Sequence, residues 1–488
     1  MNPLMILIPI LLPIAGGIAL MLMNIQEDRK RNFFSQTVVC ITSLMVWLVL
    51  WKASRNPIDI YHFTEIFSIG FQVDGLGSLF AAMVSVMWPL LMLYAFGYME
   101  HDKRQNTFFA FYVMTYGVTL GVCFASNITT VYVFYEMLSL VTIPLVSHYE
   151  NHESLYAGRK YATYTIGGAS LAFFAVVLTT MESHGSDFLL GGCISMADYR
   201  IWKEIAYVFA FFGFGVKAAV FPLHDWLPTA SVAPTPVTAL LHAVAVVNSG
   251  VFAIARMTWY VYSPKGLDGS WAQIVCLMVA VFTLVYAAVL AVKERHFKRK
   301  MAYSTVSNLS YMLFGILLLS EAGLQAGLAH MLFHGIIKIT LFMCVGCFMH
   351  VTGNEYVYEL SGIGKKMPIT FACYTLGSLS LIGIPMFCGF ISKWQLLMAG
   401  AEKANIWSII GVIALIVSAF LCALYTLPAA VRAYFPVEGK DLYENSDVKE
   451  APVLMLIPVV FFSVLNIVFG LWSSPVIDFL SRIAAGLL

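Results

Sequence analysis

Residues 5–23 read MILIPILLPIAGGIALMLM, and residues 454–471 read LMLIPVVFFSVLNIVFGL. Both stretches are almost continuously apolar and neither alternates between apolar and polar positions, so they predict helices and not the strands of a barrel. Each is close to the ~20 residues that a helix needs to cross a bilayer. The first stretch is too long for a signal-peptide core and no small-x-small cleavage site follows it. We therefore expect a permanent span there.

The composition of the whole chain supports the same class of protein. Of 488 residues, 60% are hydrophobic and 11% are charged, whereas an ordinary soluble domain has ~25% charged residues. Twenty-eight Lys and Arg against 27 Asp and Glu leave a net charge of +1. That balance lacks the basic footprint of a nucleic-acid-binding protein. The composition also excludes a disordered chain and a water-soluble fold.

Hydropathy along the chain predicts an all-α polytopic membrane protein, a single membrane domain over 1–488 with about 14 spans. The expected spans are 3–23, 33–51, 75–97, 108–124, 128–147, 161–181, 204–221, 236–259, 272–292, 303–319, 325–350, 369–391, 406–431 and 452–472. With both termini outside, 17 of the 28 basic residues, Lys440 among them, fall in cytoplasmic loops. The outer side then holds eight: Lys52, Arg55, Arg200, Lys203, Arg256, Lys265, Lys403 and Arg482. The positive-inside rule favours that orientation.

Four ionisable side chains lie inside or at the breaks of apolar stretches, where a charge costs ~2.5–3.5 kcal/mol on insertion scales. They are Glu136, Lys217, Lys338 and Lys393. Proline interrupts a helix, and Pro222 and Pro385 lie near Lys217 and Lys393, so we expect broken helices at both lysines. Paired broken helices beside charges are typical of transporters built from inverted repeats. The separation of 176 residues between the two lysines fits two five-span halves.

Histidines add to this set of titratable groups. His330, His334 and Lys338 are spaced four residues apart, which places them on one face of a helix. His242 and Asn248 add polar groups to the predicted eighth span. Lines of buried titratable residues are typical of proton relays. The simpler interpretations are a structural Glu136–Lys217 pair, histidines that only pack, and a Lys393 side chain that reaches the membrane surface.

No pattern in the sequence predicts a cofactor or a metal site. The nine cysteines fall mostly in apolar runs, and the pair Cys344 and Cys347 lacks the second pair that a metal site would need. There is no Walker A sequence and no cysteine set for an iron–sulfur cluster. The basic run KERHFKRK at 293–300 is interpreted as a cytoplasmic anchor without a catalytic role.

Five stretches resemble the antiporter-like subunits shared by respiratory complex I, Mrp cation/proton antiporters and membrane-bound hydrogenases. They are VFYEMLSLVTIPL (133–145), VKAAVFPLHDWLPTASVAPTPVTALLHA (216–243), FKRKMAYSTVSNLSYM (297–312), HMLFHGIIKITLF (330–342) and GIPMFCGFISKW (383–394). The resemblance extends from about residue 70 to 430. It implies 14 helices, with spans 1–3 in 1–105, two inverted five-helix repeats in 106–260 and 270–432, broken helices 7 and 12, and span 14 in 452–488.

The resemblance also implies roles for individual residues. Glu136 and Lys217 match the family's fifth-helix glutamate and seventh-helix lysine, and His334 and Lys338 match the polar line of its eleventh helix. Lys393 matches the twelfth-helix site, where lysine together with the C-terminal length is similar to the D-type Mrp subunit. Asn248 departs from the pattern, because many relatives have a lysine near this position. An amide does not carry a proton, so either His242 and water bridge the gap or conduction differs here.

These features predict a subunit that moves protons, with Na⁺/H⁺ exchange left open, along Glu136, Lys217, His242, His330, His334, Lys338 and Lys393. The expected partners are the lipid bilayer and other membrane subunits, which would supply any redox chemistry, and the expected place is a prokaryotic cell membrane. The first alternative is a stand-alone proton-coupled transporter of a small solute. The second is a structural scaffold, whose buried charges would tolerate neutral replacement.

Overall fold

The chain folds almost entirely into helices. The computed structural model describes residues 3–52, 56–196, 198–436 and 441–487; Arg55 and Lys440, which entered the charge comparison, lie outside these ranges. Within the described ranges, ten helical segments are long and apolar enough to cross a membrane. The prediction of an all-α, multi-pass membrane protein is therefore confirmed.

Helices are numbered here in chain order, and several of them are single short turns. The α-helices are α1 (Leu7–Met23), α2 (Asp28–Lys52), α3 (Gly75–Tyr98), α4 (Gln105–Phe124), α5 (Ile128–Val146), α6 (His152–Glu182), α7 (Arg200–Gly215), α8 (Trp226–Thr229), α9 (Thr235–Ala239), α10 (Val246–Arg256), α11 (Pro264–Leu267), α12 (Trp271–Lys293), α13 (Phe297–Leu317), α14 (Glu321–Thr352), α15 (Pro368–Ile382), α16 (Cys388–Lys403), α17 (Ile406–Tyr434), α18 (Val453–Leu471) and α19 (Ser474–Ala484). The strands are β1 (Ile58–His62) and β2 (Ser68–Phe71).

Polar caps set the start of many helices. Asn127, Asn151, Ser270, Ser320 and Asn405 each accept a hydrogen bond from the backbone N–H three residues further on, at 2.8–3.1 Å. Each bond satisfies one of the donors that the first turn of a helix leaves unpaired, which contributes about 1 kcal/mol per helix. The boundaries between closely spaced apolar helices are fixed in this way.

Two apolar segments are interrupted. α7 ends at Gly215, and irregular turns lead from it to the single turn α8. α15 ends at Ile382 because Gly383 has φ +98°, and α16 starts only at Cys388. The expected span 369–391 therefore runs across the end of one helix and the start of the next. The ends of α15 and α16 touch closely, since a Cβ on Gly389 would overlap the Ser380 carbonyl oxygen.

α14 lies at the centre of the bundle, where it packs against α3, α9, α13, α15, α16, α18 and α19. In the most apolar window of α14, 94% of the residues are buried within the protein, and in the segment Thr235–Val261, which contains α9 and α10, all of them are. The same share is 33% for α2, α17 and α18. Among the ten long apolar segments, the two most enclosed are therefore those that carry His242, Asn248 and the line from His330 to Lys338.

A β-hairpin and a C-terminal helix were absent from the sequence-based prediction. β1 and β2 form an antiparallel hairpin before α3. α19 follows α18 directly and packs its apolar side, including Leu480 and Ile483, against α14.

Candidate functional site

Lys217 lies two residues beyond α7, in the irregular stretch that leads to α8, and its side chain is fully buried. The ammonium donates to the main-chain carbonyl of Tyr135 on α5, and its Nζ lies 3.4 Å from the centre of the Tyr135 ring. α10 passes directly beside this stretch. A Cβ on Gly250 would overlap the Ala218 nitrogen, so this approach requires glycine.

Glu136 follows Tyr135 on α5 and is partly buried. Its Oε1 is fully enclosed and has no hydrogen-bond partner among the described residues. Glu136 and Lys217 interact electrostatically, yet no ion pair joins them within 4.0 Å, because the lysine bonds to the carbonyl of the preceding residue instead. A buried carboxylate oxygen without a partner is costly until a water or a proton satisfies it. The carboxylate is thus adjacent to the lysine without being closed into a pair.

His242 lies in a π-helical turn, Leu240–Val244, between α9 and α10. Such turns leave backbone groups without their usual partners and are frequent at functional sites. Here the Asn248 side-chain amide donates to the Ala243 carbonyl at 2.8 Å, so Asn248 stabilises the turn that carries the histidine. Both ring nitrogens of His242 are buried without a partner among the described residues.

His330, His334 and Lys338 all lie on α14 and are buried. The His330 and His334 rings are 5.9 Å apart between centres. Neither ring nitrogen of His334 has a hydrogen-bond partner in the described part of the chain. Unpaired nitrogens at such depth are places where an ordered water or a proton binds.

Lys338 is held by neutral oxygens only. Its Nζ donates to the Met301 carbonyl at 3.1 Å and to Ser304 Oγ at 2.7 Å, both on α13. Phe342 lies between this lysine and His242. The centre of its ring is 6.0 Å from Lys338 Nζ and 4.7 Å from the centre of the His242 ring. No carboxylate lies within ion-pair distance of this ammonium among the described residues.

Lys393 lies on the first turns of α16, just after the interruption that follows α15. Its Nζ donates to the carbonyls of Leu381 and Ile382, at 2.5 and 3.3 Å. These carbonyls belong to the last turn of α15, where helix carbonyls lack backbone donors. The lysine is 7% exposed and points into the protein rather than to the membrane surface.

His330 connects the Lys393 region to α13. Its Nδ1 is 2.9 Å from Ser392 Oγ, and its Nε2 is 3.3 Å from Asn308 Oδ1. Because the Asn308 amide nitrogen donates to the Ser304 carbonyl, its Oδ1 faces the histidine as an acceptor, which assigns the ring proton of the neutral histidine to Nε2. Ser392 then donates to Nδ1.

Tyr311 packs against both His330 and Lys393. Its ring stacks on the His330 ring at 5.2 Å, and Lys393 Nζ lies 4.9 Å from its centre. The tyrosine hydroxyl donates to the Leu415 carbonyl at 2.9 Å, which fixes the ring in place.

The structure thus brings His330, His334, Lys338 and Lys393 together in one enclosed region between α13, α14 and α16. His242 faces that region across Phe342. Glu136 and Lys217 form a second group between α5 and the turn after α7, and no hydrogen bond among the described residues links the two groups.

Sequence reasoning missed the oxygens that hold these side chains. The Tyr135 carbonyl holds Lys217, the Ser304 hydroxyl holds Lys338, and the side chains of Asn308 and Ser392 hold His330. Ser304 and Asn308 are one helical turn apart, and Ser392 precedes a buried lysine, so their spacing was an available signal. Backbone carbonyls leave no signal in a sequence.

Five basic residues that the charge comparison placed in loops or on the outer side are buried: Arg31, Lys203, Arg256, Lys298 and Lys300. Lys298 and Lys300, in the run interpreted as a surface anchor, are buried and donate to the carbonyls of Ala233 and Ala291, both at 2.9 Å. Arg256, counted on the outer side, is fully buried on α10 and pairs with Asp74, the cap of α3. In each case a backbone or carboxylate oxygen compensates the buried charge.

A loop hydrogen bond lies beside this end of α13, outside the membrane-spanning helices. His296 Nε2 is 3.2 Å from Glu355 Oε2. The hydrogen bond from His296 is the main reason that the pKa of Glu355 lies below its ordinary value. The backbone N–H of Phe297 also donates to the Glu355 carbonyl at 2.8 Å, so this loop anchors the start of α13.

Two family models match the chain. One, described as NADH:quinone oxidoreductase/Mrp antiporter, transmembrane, matches residues 125–421. The other, described as the N-terminus of chain 5 of NADH-ubiquinone oxidoreductase (complex I), matches residues 64–109.

Curated relatives carry related names. The chain is 32% identical over 432 residues to the A-type subunit of the Na⁺/H⁺ antiporter of Alkalihalophilus pseudofirmus, covering 82% of this chain and 52% of that protein. It is 31% identical over 463 residues to the A1-type Na⁺/H⁺ antiporter subunit of Staphylococcus aureus, covering 89% and 57%. The chain therefore spans about half the length of the curated relatives it matches.

Two solved structures share the fold. A chain of an archaeal respiratory complex, the membrane-bound sulfane sulfur reductase, superimposes with a TM-score of 0.84 at 22% identity, covering 98% of this chain and 96% of that one. A chain of the Mrp complex from Dietzia sp. gives a TM-score of 0.84 at 19% identity, covering 100% and 98%. At these identities the likeness concerns the fold alone.

Proposed function

The chain belongs to the NADH:quinone oxidoreductase/Mrp antiporter family, and from this premise we propose that it is the ion-translocating membrane subunit of a multisubunit complex. The ion is H⁺, with Na⁺ as the exchanged ion in the antiporter form of the proposal. The observation that carries the proposal is the enclosed region in which Lys338, Lys393, His330 and His334 are buried without a carboxylate partner among the described residues.

If these lysines served only to hold the structure together, apolar residues in their place would cost less free energy. A buried ammonium costs several kcal/mol unless it is fully compensated, and replacement of buried charges by apolar groups is often neutral or stabilising. Lys338 and Lys393 bind only to hydroxyl and carbonyl oxygens. Lysines in such surroundings are suited to taking up and releasing a proton, and we assign them that role.

In the proposed mechanism, Glu136 and Lys217 form one station and the group around Lys338 another. From Lys338 the proton passes by the histidines His330 and His334 to Lys393, where it is released. His242, in its π-helical turn and facing Phe342, is the station between the two groups. Asn248 stabilises that turn through the Ala243 carbonyl and does not carry the proton itself.

We also propose the finer topology: 14 crossings, two inverted five-helix halves at 106–260 and 270–432, spans 1–3 in 1–105, and span 14 in 452–488. The seventh and twelfth helices are broken in this proposal. Four further helices, α1, α7, α13 and α15, support it beyond the ten long apolar segments. Both termini would then face the outside of a prokaryotic cell membrane.

We assign the type of subunit from the curated relatives, and this differs from the type expected from Lys393. That lysine favoured a D-type subunit, whereas the curated relatives at about 30% identity are of the A type. We therefore propose an antiporter module of the A type, held in a complex with other membrane subunits. A redox or ion-gradient partner supplies the driving force.

The test is ion transport in inside-out membrane vesicles with a pH-sensitive dye. We expect Glu136→Ala and Lys217→Ala each to abolish coupled transport while the protein stays inserted and assembled. Lys265→Ala, an exposed lysine on α11, is the matched control and keeps the native rate. Native rates in both site variants would reject the proposal.

Co-purification separates the stand-alone transporter from the complex subunit. A tagged chain should retain other membrane subunits after mild solubilisation. A chain that purifies alone and still transports ions would favour the transporter of a small solute.

A further inference from the structure

An open cleft of about 520 Å³ lies where α12, α13 and α17 meet. One wall is formed by the end of α12 and the loop that follows, including Lys293, Glu294 and Arg295. The other wall is formed by α17, with Arg432 near the mouth and Tyr425 deeper in. Lys293, Arg295 and Arg432 are exposed, so the cleft is open to water.

Tyr425 connects the cleft to the buried region. It lines the cleft but is only 2% exposed, so the residue closes the inner end. Its hydroxyl is 2.7 Å from Ser304 Oγ, and Ser304 Oγ accepts from Lys338 Nζ, also at 2.7 Å. Two consecutive hydrogen bonds thus lead from the cleft to Lys338.

We propose that Tyr425 and Ser304 are a two-hydroxyl relay that connects water in this cleft to Lys338. The inference rests on the proposed function, because it assumes that Lys338 exchanges protons. It adds the route and the side of the membrane from which that lysine is protonated. With both termini outside, the cleft opens to the cytoplasm, since it is lined by the loop that follows α12.

The chemistry favours the hydroxyl route over the other contact of Lys338. The Met301 carbonyl accepts hydrogen bonds but has no proton to pass on. A hydroxyl group accepts a proton on one lone pair while its own proton leaves, and chains of such groups act cooperatively. Ser304 is therefore the contact of Lys338 that is able to transfer a proton, and Tyr425 is the next hydroxyl in the chain.

The proton transfer balances without any other reactant. A hydronium ion in the cleft gives a proton to the Tyr425 oxygen while the tyrosine's own proton moves to Ser304 Oγ. The serine's own proton moves to the lone pair of neutral Lys338 Nζ. Three bonds to hydrogen break and three form, both hydroxyls end neutral, water remains in the cleft, and the lysine carries the charge.

The test compares Tyr425→Phe, Ser304→Ala and a matched tyrosine in inside-out vesicles of the assembled complex. We expect proton transport to fall about 100-fold in Tyr425→Phe and in Ser304→Ala, as on loss of a positioned proton donor. Tyr116→Phe is the control, because Tyr116 makes an equivalent buried bond to Ser43 Oγ at 2.9 Å between α4 and α2, away from every buried lysine. That variant should keep the native rate.

Three outcomes distinguish the inference from the function on which it rests. Loss of transport in Tyr425→Phe and Ser304→Ala, with normal co-purification of partners, supports the relay. Native transport in both, together with no transport in Lys338→Met, overturns the relay and leaves the proposed function standing. Native transport in all three variants overturns the proposed function as well.

Discussion

Replacement of Lys338 by methionine separates the functional role of this lysine from a structural one. Met has a similar unbranched length and carries no charge. The native ammonium gains two charge-assisted hydrogen bonds, each contributing about 1.5–3 kcal/mol, against an insertion cost of about 2.5–3.5 kcal/mol. At mid-range, about 4.5 kcal/mol from the two bonds against about 3 kcal/mol of insertion cost leaves the variant less stable by about 1.5 kcal/mol, with limits of about −0.5 and 3.5 kcal/mol.

The structure explains why the variant leaves no polar atom unpaired. Ser304 keeps its bond to the Tyr425 hydroxyl, and the Met301 carbonyl keeps the hydrogen bond from Thr305 Oγ1 at 3.1 Å. Lys338→Met should therefore assemble and melt close to the native protein. Proton transport should nevertheless fall to background, because no group at this position takes up a proton.

The assay combines thermal unfolding of the purified complex with dye-based proton transport in vesicles. Lys203→Met is the matched control: Lys203 is also buried, but it is bonded to Glu182 at 2.7 Å and to the Ser195 carbonyl at 2.9 Å, away from the enclosed region. We expect the control to transport normally. Unchanged transport in Lys338→Met would refute the reasoning, and so would loss of transport accompanied by loss of the folded complex.

Three further predictions concern the scaffold around the site. Gly250→Ala should lower the unfolding free energy by about 1–3 kcal/mol and slow transport, because its Cβ would overlap the backbone beside Lys217. Gly167→Ala is the control and should change neither quantity, because the space around Gly167 is open. Thermal unfolding and proton-flux assays check both variants. Arg256→Met should cost about 3–5 kcal/mol in thermal unfolding because it leaves the capping carboxylate of α3 without its partner, and a loss below about 1 kcal/mol would contradict the buried pair. The depressed pKa of Glu355 means that its hydrogen bond with His296 stabilises the loop above the ordinary glutamate pKa, about 4.3, and that this stabilisation is lost as pH falls through the lower folded value. Amide exchange at the start of α13, expressed at each pH as the ratio of the intrinsic to the observed rate, should show a loss of protection on such acidification in the native protein but not in Glu355→Gln.

The membrane class, the helices and the buried ionisable residues could be predicted from the sequence because each leaves a local signal. An apolar run of about 20 residues predicts a span wherever it occurs. A lysine inside such a run, as at 217 or 338, is conspicuous because charge is costly there. Spacing by four residues was enough to place His330, His334 and Lys338 on one helix, and the structure has all three on α14.

What the sequence could not give is the set of partners across helices. Lys298 and Lys300 look like a surface anchor in the sequence because their neighbours are charged. Both are buried, and their ammonium groups donate to the backbone carbonyls of Ala233 and Ala291. Arg256 was counted on the outer side, and its carboxylate partner Asp74 lies 182 residues away in the sequence. The link from Lys338 through Ser304 to Tyr425 joins α14, α13 and α17, and no periodicity within one helix encodes such a contact.

The central claim is that buried lysines carry the transported proton, and a variant with Lys217, Lys338 and Lys393 all replaced by methionine tests it most directly. Its proton flux is measured in vesicles after co-purification has established that the complex is assembled. The account predicts flux no greater than that of vesicles without the protein. Flux at the native rate through an assembled complex that lacks all three ammonium groups would contradict it.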